Sequence, residues 1–224
     1  MAPLWYNQIV SIRRSFLVKS ETKTRILDAA EQLFAAHGIG GTSLRAIIVK
    51  AGVNVAAIHY HFGSKMALTL AVFSRRLEPI NQEQHRLLAR CEKTECCLED
   101  VLHAFILPVL AVRDDNDEGA EAFLRILSNT FIEPDEALFR ALYEQFGDAL
   151  NRFVGTLRKT LPELTDEDFQ VRFLFALGAF SFSIGEALRR TVLGEFEIQA
   201  DITVEKLVRF LSAGFKAPPE PPPT

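Results

Sequence analysis

Cysteine is scarce in this 224-residue chain: Cys91, Cys96 and Cys97 are an odd number of thiols, two of them adjacent. That excludes the disulfide framework of a small exported domain. Long apolar runs are missing too. The longest, Val171 to Ile184, is broken near its start by Arg172 and closed by Glu186, short of the roughly 20 residues of a membrane span. The N-terminus, with Trp5, Tyr6 and Asn7 ahead of Arg13 and Arg14, lacks the order of a secretory signal, so a cytoplasmic location and no membrane partner are expected. Alternating runs of β-branched residues between turn signals are absent, which argues against strands.

The motifs of catalysis are equally wanting. There is no glycine-rich phosphate loop, no Gly-x-Ser-x-Gly elbow and no outstanding carboxylate pair, so no enzyme activity and no cofactor are expected. His59 and His61 sit two residues apart, and on a helix such a pair points to different faces and cannot share a metal. The three cysteines lack a fourth ligand, although a thiolate metal or redox site there stays open.

What the sequence does contain is helical spacing almost throughout, which predicts an all-α protein. Ile26, Ala30, Leu33 and Phe34 form a first stripe, with Ser20 or Thr22 as its cap and His37-Gly38 as its stop. Thr42 is placed to cap a short second helix through Leu44, Ile47 and Ile48, ended by Gly52, and Asn54 to cap a third from Val55 to Phe62. Gly63-Ser64 then leads into a fourth helix through Met66, Leu70 and Phe73. Pro79 and Pro108 are expected to kink the fourth and fifth. Beyond the acidic loop Asp114–Asp117, further helices are read from about Glu118 to Asn129, from an opening at Glu133-Pro134-Asp135 to Leu161, from Thr165 to about Leu193, and from Thr203 to Gly214. Pro218 to Pro223 reads as a polyproline tail.

Charge divides unevenly. Residues 1–65 carry 8 Lys/Arg against 3 Asp/Glu, a net of +5, whereas the remainder carries 17 against 26, a net of −9. Only the N-terminal end suits phosphates. In it, Ser43 to Phe62 has the elements of a helix-turn-helix: two short helices and the tight turn Ala51-Gly52-Val53-Asn54. Ala56 and Ala57 keep the second helix slim, His59, Tyr60 and His61 offer polar rings, and Ser64 and Lys65 stand at the next helix N-terminus, where a phosphate is favoured. Packing without DNA is the alternative reading, since the same geometry occurs in other helical bundles.

The ordered segments Thr24 to Phe34, Gly41-Thr42-Ser43-Leu44, Ala51-Gly52-Val53 and Tyr60-His61-Phe62-Gly63-Ser64-Lys65 resemble the TetR family over roughly residues 22–75. The resemblance implies a three-helix DNA-binding head and a larger helical-bundle body for effector binding and dimerisation. The expected divisions are an extension at 1–19, without fixed structure or serving as a DNA-contacting arm, a head at 20–65, a body at 66–216 and a proline-rich tail at 217–224. It further implies a homodimeric regulator, usually a repressor, on palindromic double-stranded DNA. Carried residue by residue, it places Thr42 and Lys65 on phosphates, Tyr60 and His61 on the backbone beside the groove, and Ala56, Ala57 and His59 nearest the base edges, with Ser43 and Arg45 further candidates. Lys50 to Ile58 and Phe62 to Lys65 are similar to the PsrA-type, fatty-acid-responsive branch.

Phenylalanine is plentiful, 18 residues against three tyrosines and one tryptophan. Phe105, Phe123, Phe131, Phe146, Phe173 and Phe180 on the body helices either fill a core or line a pocket for a small hydrophobic effector. Arg125, in an apolar stretch, is expected to be buried and paired with an acidic neighbour or an effector carboxylate. A fatty acid or acyl-CoA is one effector class; an aromatic or drug-like ligand, or a protein-interaction module without DNA affinity, are the alternatives. Gly178, Ala179, Ser181, Ser183, Gly185 and Ala187 would let another helix approach closely, in a dimer or within the protomer.

Overall fold

A computed structural model of the chain describes residues 4–94, 96–112, 118–132, 135–185 and 200–218, with side chains of the first helix from residue 21. The described residues form helices and no strand: α1 Leu4–Gly41, α2 Leu44–Ala51, α3 Val55–His61, α4 Lys65–Cys91, α5 Leu98–Ala111, α6 Glu118–Ile132, α7 Glu136–Lys159, α8 Asp166–Ile184 and α9 Ala200–Phe215. The acidic segment 114–117, the stretch 187–193 and the tail beyond Pro218 lie outside them. Among the described residues no helix is long and apolar enough to cross a membrane.

The local signals act largely as their chemistry dictates. Asn54 Oδ1 accepts from Ala57 N at 2.8 Å, Asp135 Oδ1 from Leu138 N at 2.9 Å and Thr165 Oγ1 from Asp168 N at 3.1 Å, each satisfying an amide that the first helical turn leaves open. One expectation changes. The first helix does not start at Ser20 or Thr22 but runs from Leu4, because no glycine or proline between residues 4 and 37 interrupts it and polar residues are tolerated inside a helix. Gly38, at φ 72° and ψ 162°, is where it breaks before Gly41. Pro79 and Pro108 lie inside α4 and α5.

Two compact units result, Met1–Phe73 and Ser74–Thr224. In the first, Ile26, Ala30, Phe34, Ile47, Ile58, Leu68, Val72 and Phe73 are buried, so α1 and the start of α4 supply most of the core on which α2 and α3 rest. In the second, Leu88, Val101, Leu102, Leu110, Phe123, Leu124, Leu157, Ile184 and Phe215 are almost wholly buried. There Gln84, itself buried, donates Nε2 to the Phe105 carbonyl at 2.8 Å, fastening α4 to α5 within the last turns before Pro108.

Candidate nucleic-acid interface and helical body

The α2–α3 pair is built around one glycine. Gly52 lies at φ 61° and ψ 40°, and the amides of Gly52 and Val53 close the end of α2 on the carbonyls of Val49 and Ile48, each at 3.2 Å. A side chain at that left-handed position would be strained, so glycine sets the turn. Ile47 and Ile58, both fully buried, anchor one face of each helix. The opposite faces are open: Ser43, Arg45, Ala56, His59 and Tyr60 are exposed, and Ala57, His61 and Lys65 are half-buried.

Each candidate contact residue then has a defined state. Ser43, not Thr42, caps α2, its Oγ accepting from Ala46 N at 3.1 Å, which leaves the hydroxyl proton for an external acceptor. Thr42 is buried, and its hydroxyl is placed to donate to Gly38 O at 2.8 Å and Leu33 O at 3.1 Å. A hydroxyl has one proton and a phosphate only accepts, so in this arrangement the Thr42 proton is engaged in a clasp over the Gly38 break. Lys65 Nζ reaches Gly40 O at a long 3.4 Å, a weak bond that a phosphate can displace. Ser64 accepts from Ala67 N at 3.1 Å, capping α4. His59 Nδ1 lies 3.2 Å from Gly63 O, which ties the ring to the turn after α3. Tyr60 meets His61 edge to face, centroids 5.2 Å apart. Sequence reasoning passed over Val55 and Val49, 57% and 74% exposed; Val55 stands four residues before His59, on the same face of α3.

In the second unit the aromatic residues converge. Phe105 stacks on Phe153 at 4.1 Å and lies 6.3 Å from Phe180, while Phe173 is 6.4 Å from Phe153 and 6.1 Å from Phe169. Three expected residues, Phe105, Phe173 and Phe180, are thus brought together; Phe123 is buried on α6, and Phe131 and Phe146 are half-buried on α6 and α7. Phe153, Phe169 and Phe215 join the cluster unanticipated, although Phe153 follows Phe146 by two helical turns. Arg125 is exposed rather than buried. Glu121, Arg125 and Asn129 form the outward stripe of α6, four residues apart, while the apolar residues beside Arg125 in sequence turn inward.

A separate open groove of about 410 Å³ lies between α5 and α9, lined by Glu99, His103, Glu205, Lys206, Val208, Arg209 and Ser212. Glu99 accepts from Ser212 Oγ and, at 2.6 Å, from Lys216 Nζ, and these donors hold its carboxyl down at about 2. The cysteines stand at the turn from α4 to α5. Burial pushes the Cys91 thiol up to about 12, and Asp100 Oδ2, accepting from Cys97 Sγ at 3.0 Å, raises that thiol as well. Neither favours the thiolate that metal binding and oxidation need, and no group of three metal-binding side chains occurs among the described residues.

Two family models cover both units. One, the bacterial regulatory proteins of the tetR family, matches residues 26–72; the other, a tetracyclin repressor-like C-terminal domain, matches residues 103–214, half of the chain. The chain belongs to the TetR family. Among curated relatives, the HTH-type transcriptional regulator SrpR of Pseudomonas putida is 37% identical over 68 residues, 30% of this chain and 32% of its own length. TtgR, another HTH-type transcriptional regulator of Pseudomonas putida, is 36% identical over 84 residues, 38% of each. The chain therefore spans about a third of the length of these relatives. Across the whole fold, a Clostridium perfringens protein named as a fatty acid metabolism regulator has a TM-score of 0.60 at 18% identity, covering 85% of this chain and 97% of its own. That likeness shows a shared fold.

Proposed function

We propose that the protein is a transcriptional regulator, acting in the cytoplasm as a repressor, that binds a palindromic operator as a homodimer and loses affinity for it when a small hydrophobic effector occupies the helical body. The observation that carries the DNA reading is the α2–Gly52–α3 pair. One face is anchored by Ile47 and Ile58, and the open face presents Ser43, Arg45, His59, Tyr60 and, beside them, Lys65. A recognition helix needs that arrangement: slim, polar outward and fixed from behind. Phosphate positioning falls to Ser43, Arg45, Tyr60, His61 and Lys65, and base contact to Ala56, Ala57 and His59.

The effector reading rests on the second unit. Its described interior is rich in phenylalanine, and the Phe105–Phe153–Phe180 cluster offers an apolar surface that an acyl chain matches. The resemblance to the PsrA-type branch and the name of the Clostridium perfringens neighbour point in the same direction. Arg125, being exposed, is no clamp for a carboxylate inside the protomer. An effector shifts operator affinity only by its differential binding to the two states.

The test is a two-stage titration. Pure protein is warmed with fatty acids and their coenzyme A esters, and any compound that raises the melting temperature is then added to a DNA-binding assay. Stabilisation by long acyl chains together with release of DNA supports the full reading. DNA binding that falls steeply with salt but ignores every acyl compound keeps the regulator and removes the acyl effector. Absence of DNA binding at low salt removes both.

A further inference from the structure

The ring of His59 is clasped to the turn that follows its own helix. Gly63 donates its amide to the carbonyls of Ile58 and His59, at 3.3 and 3.1 Å, and its own carbonyl lies 3.2 Å from His59 Nδ1. A carbonyl oxygen can only accept, so the proton of the neutral imidazole sits on Nδ1 and Nε2 is left bare. The ring is exposed, and its free edge is a hydrogen-bond acceptor.

The rest of the same helix sharpens this. From Val55 to His61, α3 contains no arginine, lysine, asparagine or glutamine, so the bidentate donors that read guanine are missing. One turn before His59, on the same face, Val55 holds two methyl groups in the open. In the major groove guanine shows only acceptors, N7 and O6. Adenine and cytosine each show an exocyclic amino donor, and thymine a methyl group. A bare Nε2 against guanine would set acceptor against acceptor.

We infer that His59 reads an exocyclic amino group, adenine N6 or cytosine N4, through Nε2, and that Val55 lies against a thymine methyl one turn earlier. The inference rests on α3 being the recognition helix, as proposed above, and goes beyond it by assigning the sense of the hydrogen bond and the class of base.

The experiment selects sites from a random duplex pool with the full chain. Single functional groups of the selected half-site are then deleted: purine for adenine removes N6, 2-pyrimidinone for cytosine removes N4, and uracil for thymine removes the methyl. At one adenine or one cytosine, loss of the amino group is expected to weaken the wild type by about tenfold and His59→Ala not at all, which also tells the two bases apart. His59→Arg should move the preference at that position to guanine. At one thymine, uracil should weaken the wild type but not Val55→Ala. Guanine preferred by the wild type where His59→Ala relaxes selection, or amino deletions that affect wild type and His59→Ala equally, would overturn the assignment while leaving operator binding intact. A pool that yields no enriched sequence would bring down the operator reading and this inference with it.

Discussion

Arg152 on α7 grips Glu92, just past the end of α4, with two parallel hydrogen bonds, Nε to Oε1 at 2.8 Å and Nη2 to Oε2 at 2.6 Å. Its remaining nitrogen donates to the His85 carbonyl at 3.2 Å. The fork geometry needs a guanidinium, and the hydrogen bond from Arg152 is the main reason the Glu92 carboxyl titrates below its usual range. Both side chains keep about a third of their exposure, so solvent screens the pair and its contribution is about 1 kcal/mol. Arg152→Ala should lower unfolding stability by that amount in urea, and Arg152→Lys should recover less than half. Equal stability of the lysine variant and the wild type would show that charge alone suffices.

A second carboxylate makes the acid limb testable. Glu99, held at about 2 by Lys216 and Ser212, titrates well below the 4.5 usual for the group. A folded-state value below the unfolded one contributes stability that is fully present above about pH 4.5 and disappears as pH falls towards 2. Since the side chain is 37% exposed, screening reduces the effect to about 1 kcal/mol. Glu99→Gln should therefore be less stable than wild type at pH 7, with the gap closing between pH 5 and pH 3 in denaturant titrations. A gap that stays constant over that range would mean the ion pair to α9 does not supply it.

Thr42 and Lys65 separate structure from DNA contact. Thr42→Val removes the hydroxyl placed against the Gly38 and Leu33 carbonyls and should cost about 1–2 kcal/mol of stability. The salt slope of DNA binding should not change. Lys65→Ala should leave stability alone, weaken every operator alike and reduce the log–log salt slope by about 1. Loss of slope in Thr42→Val, measured by fluorescence anisotropy over a salt series, would restore the phosphate role that its buried hydroxyl argues against.

These cases show what kind of signal the sequence carries. Caps at Asn54 and Thr165 and the stop at Gly52 are legible because one side chain or one backbone angle decides each. Thr42 and Ser43 are adjacent cap-forming residues, and only the path of the chain past Gly38 chooses between them. Arg125 is misjudged when its neighbours in sequence stand in for neighbours in space; the four-residue spacing of Glu121, Arg125 and Asn129 already marks an outward stripe. The aromatic cluster needs tertiary placement, since Phe105, Phe153 and Phe180 meet from α5, α7 and α8. The small residues of α8 divide in the same way. Ser181 O accepts from Ser128 Oγ at 3.0 Å, and a Cβ on Gly185 would come within 2.6 Å of Ser128 Oγ, so Ser181 and Gly185 serve packing against α6.

Among the described residues, the outward face of α8 is apolar and exposed. Val171, Leu174, Phe175 and Phe182 are 46%, 65%, 69% and 48% exposed, Phe210 on α9 is 68% exposed, and a Cβ on Gly178 would meet nothing. An apolar face of this kind is what a two-fold interface repeats on itself, and water is a poor solvent for it. Phe175→Glu places two like charges near the axis of such a dimer yet removes no contact of the buried core. It should keep its far-ultraviolet dichroism, sediment as a monomer at micromolar concentration, and bind a full palindromic operator at least a hundredfold more weakly, since two tethered heads gain roughly 10²–10⁴ over one. A folded Phe175→Glu variant that still sediments as a dimer would move the two-fold axis away from α8 and require another cover for these side chains.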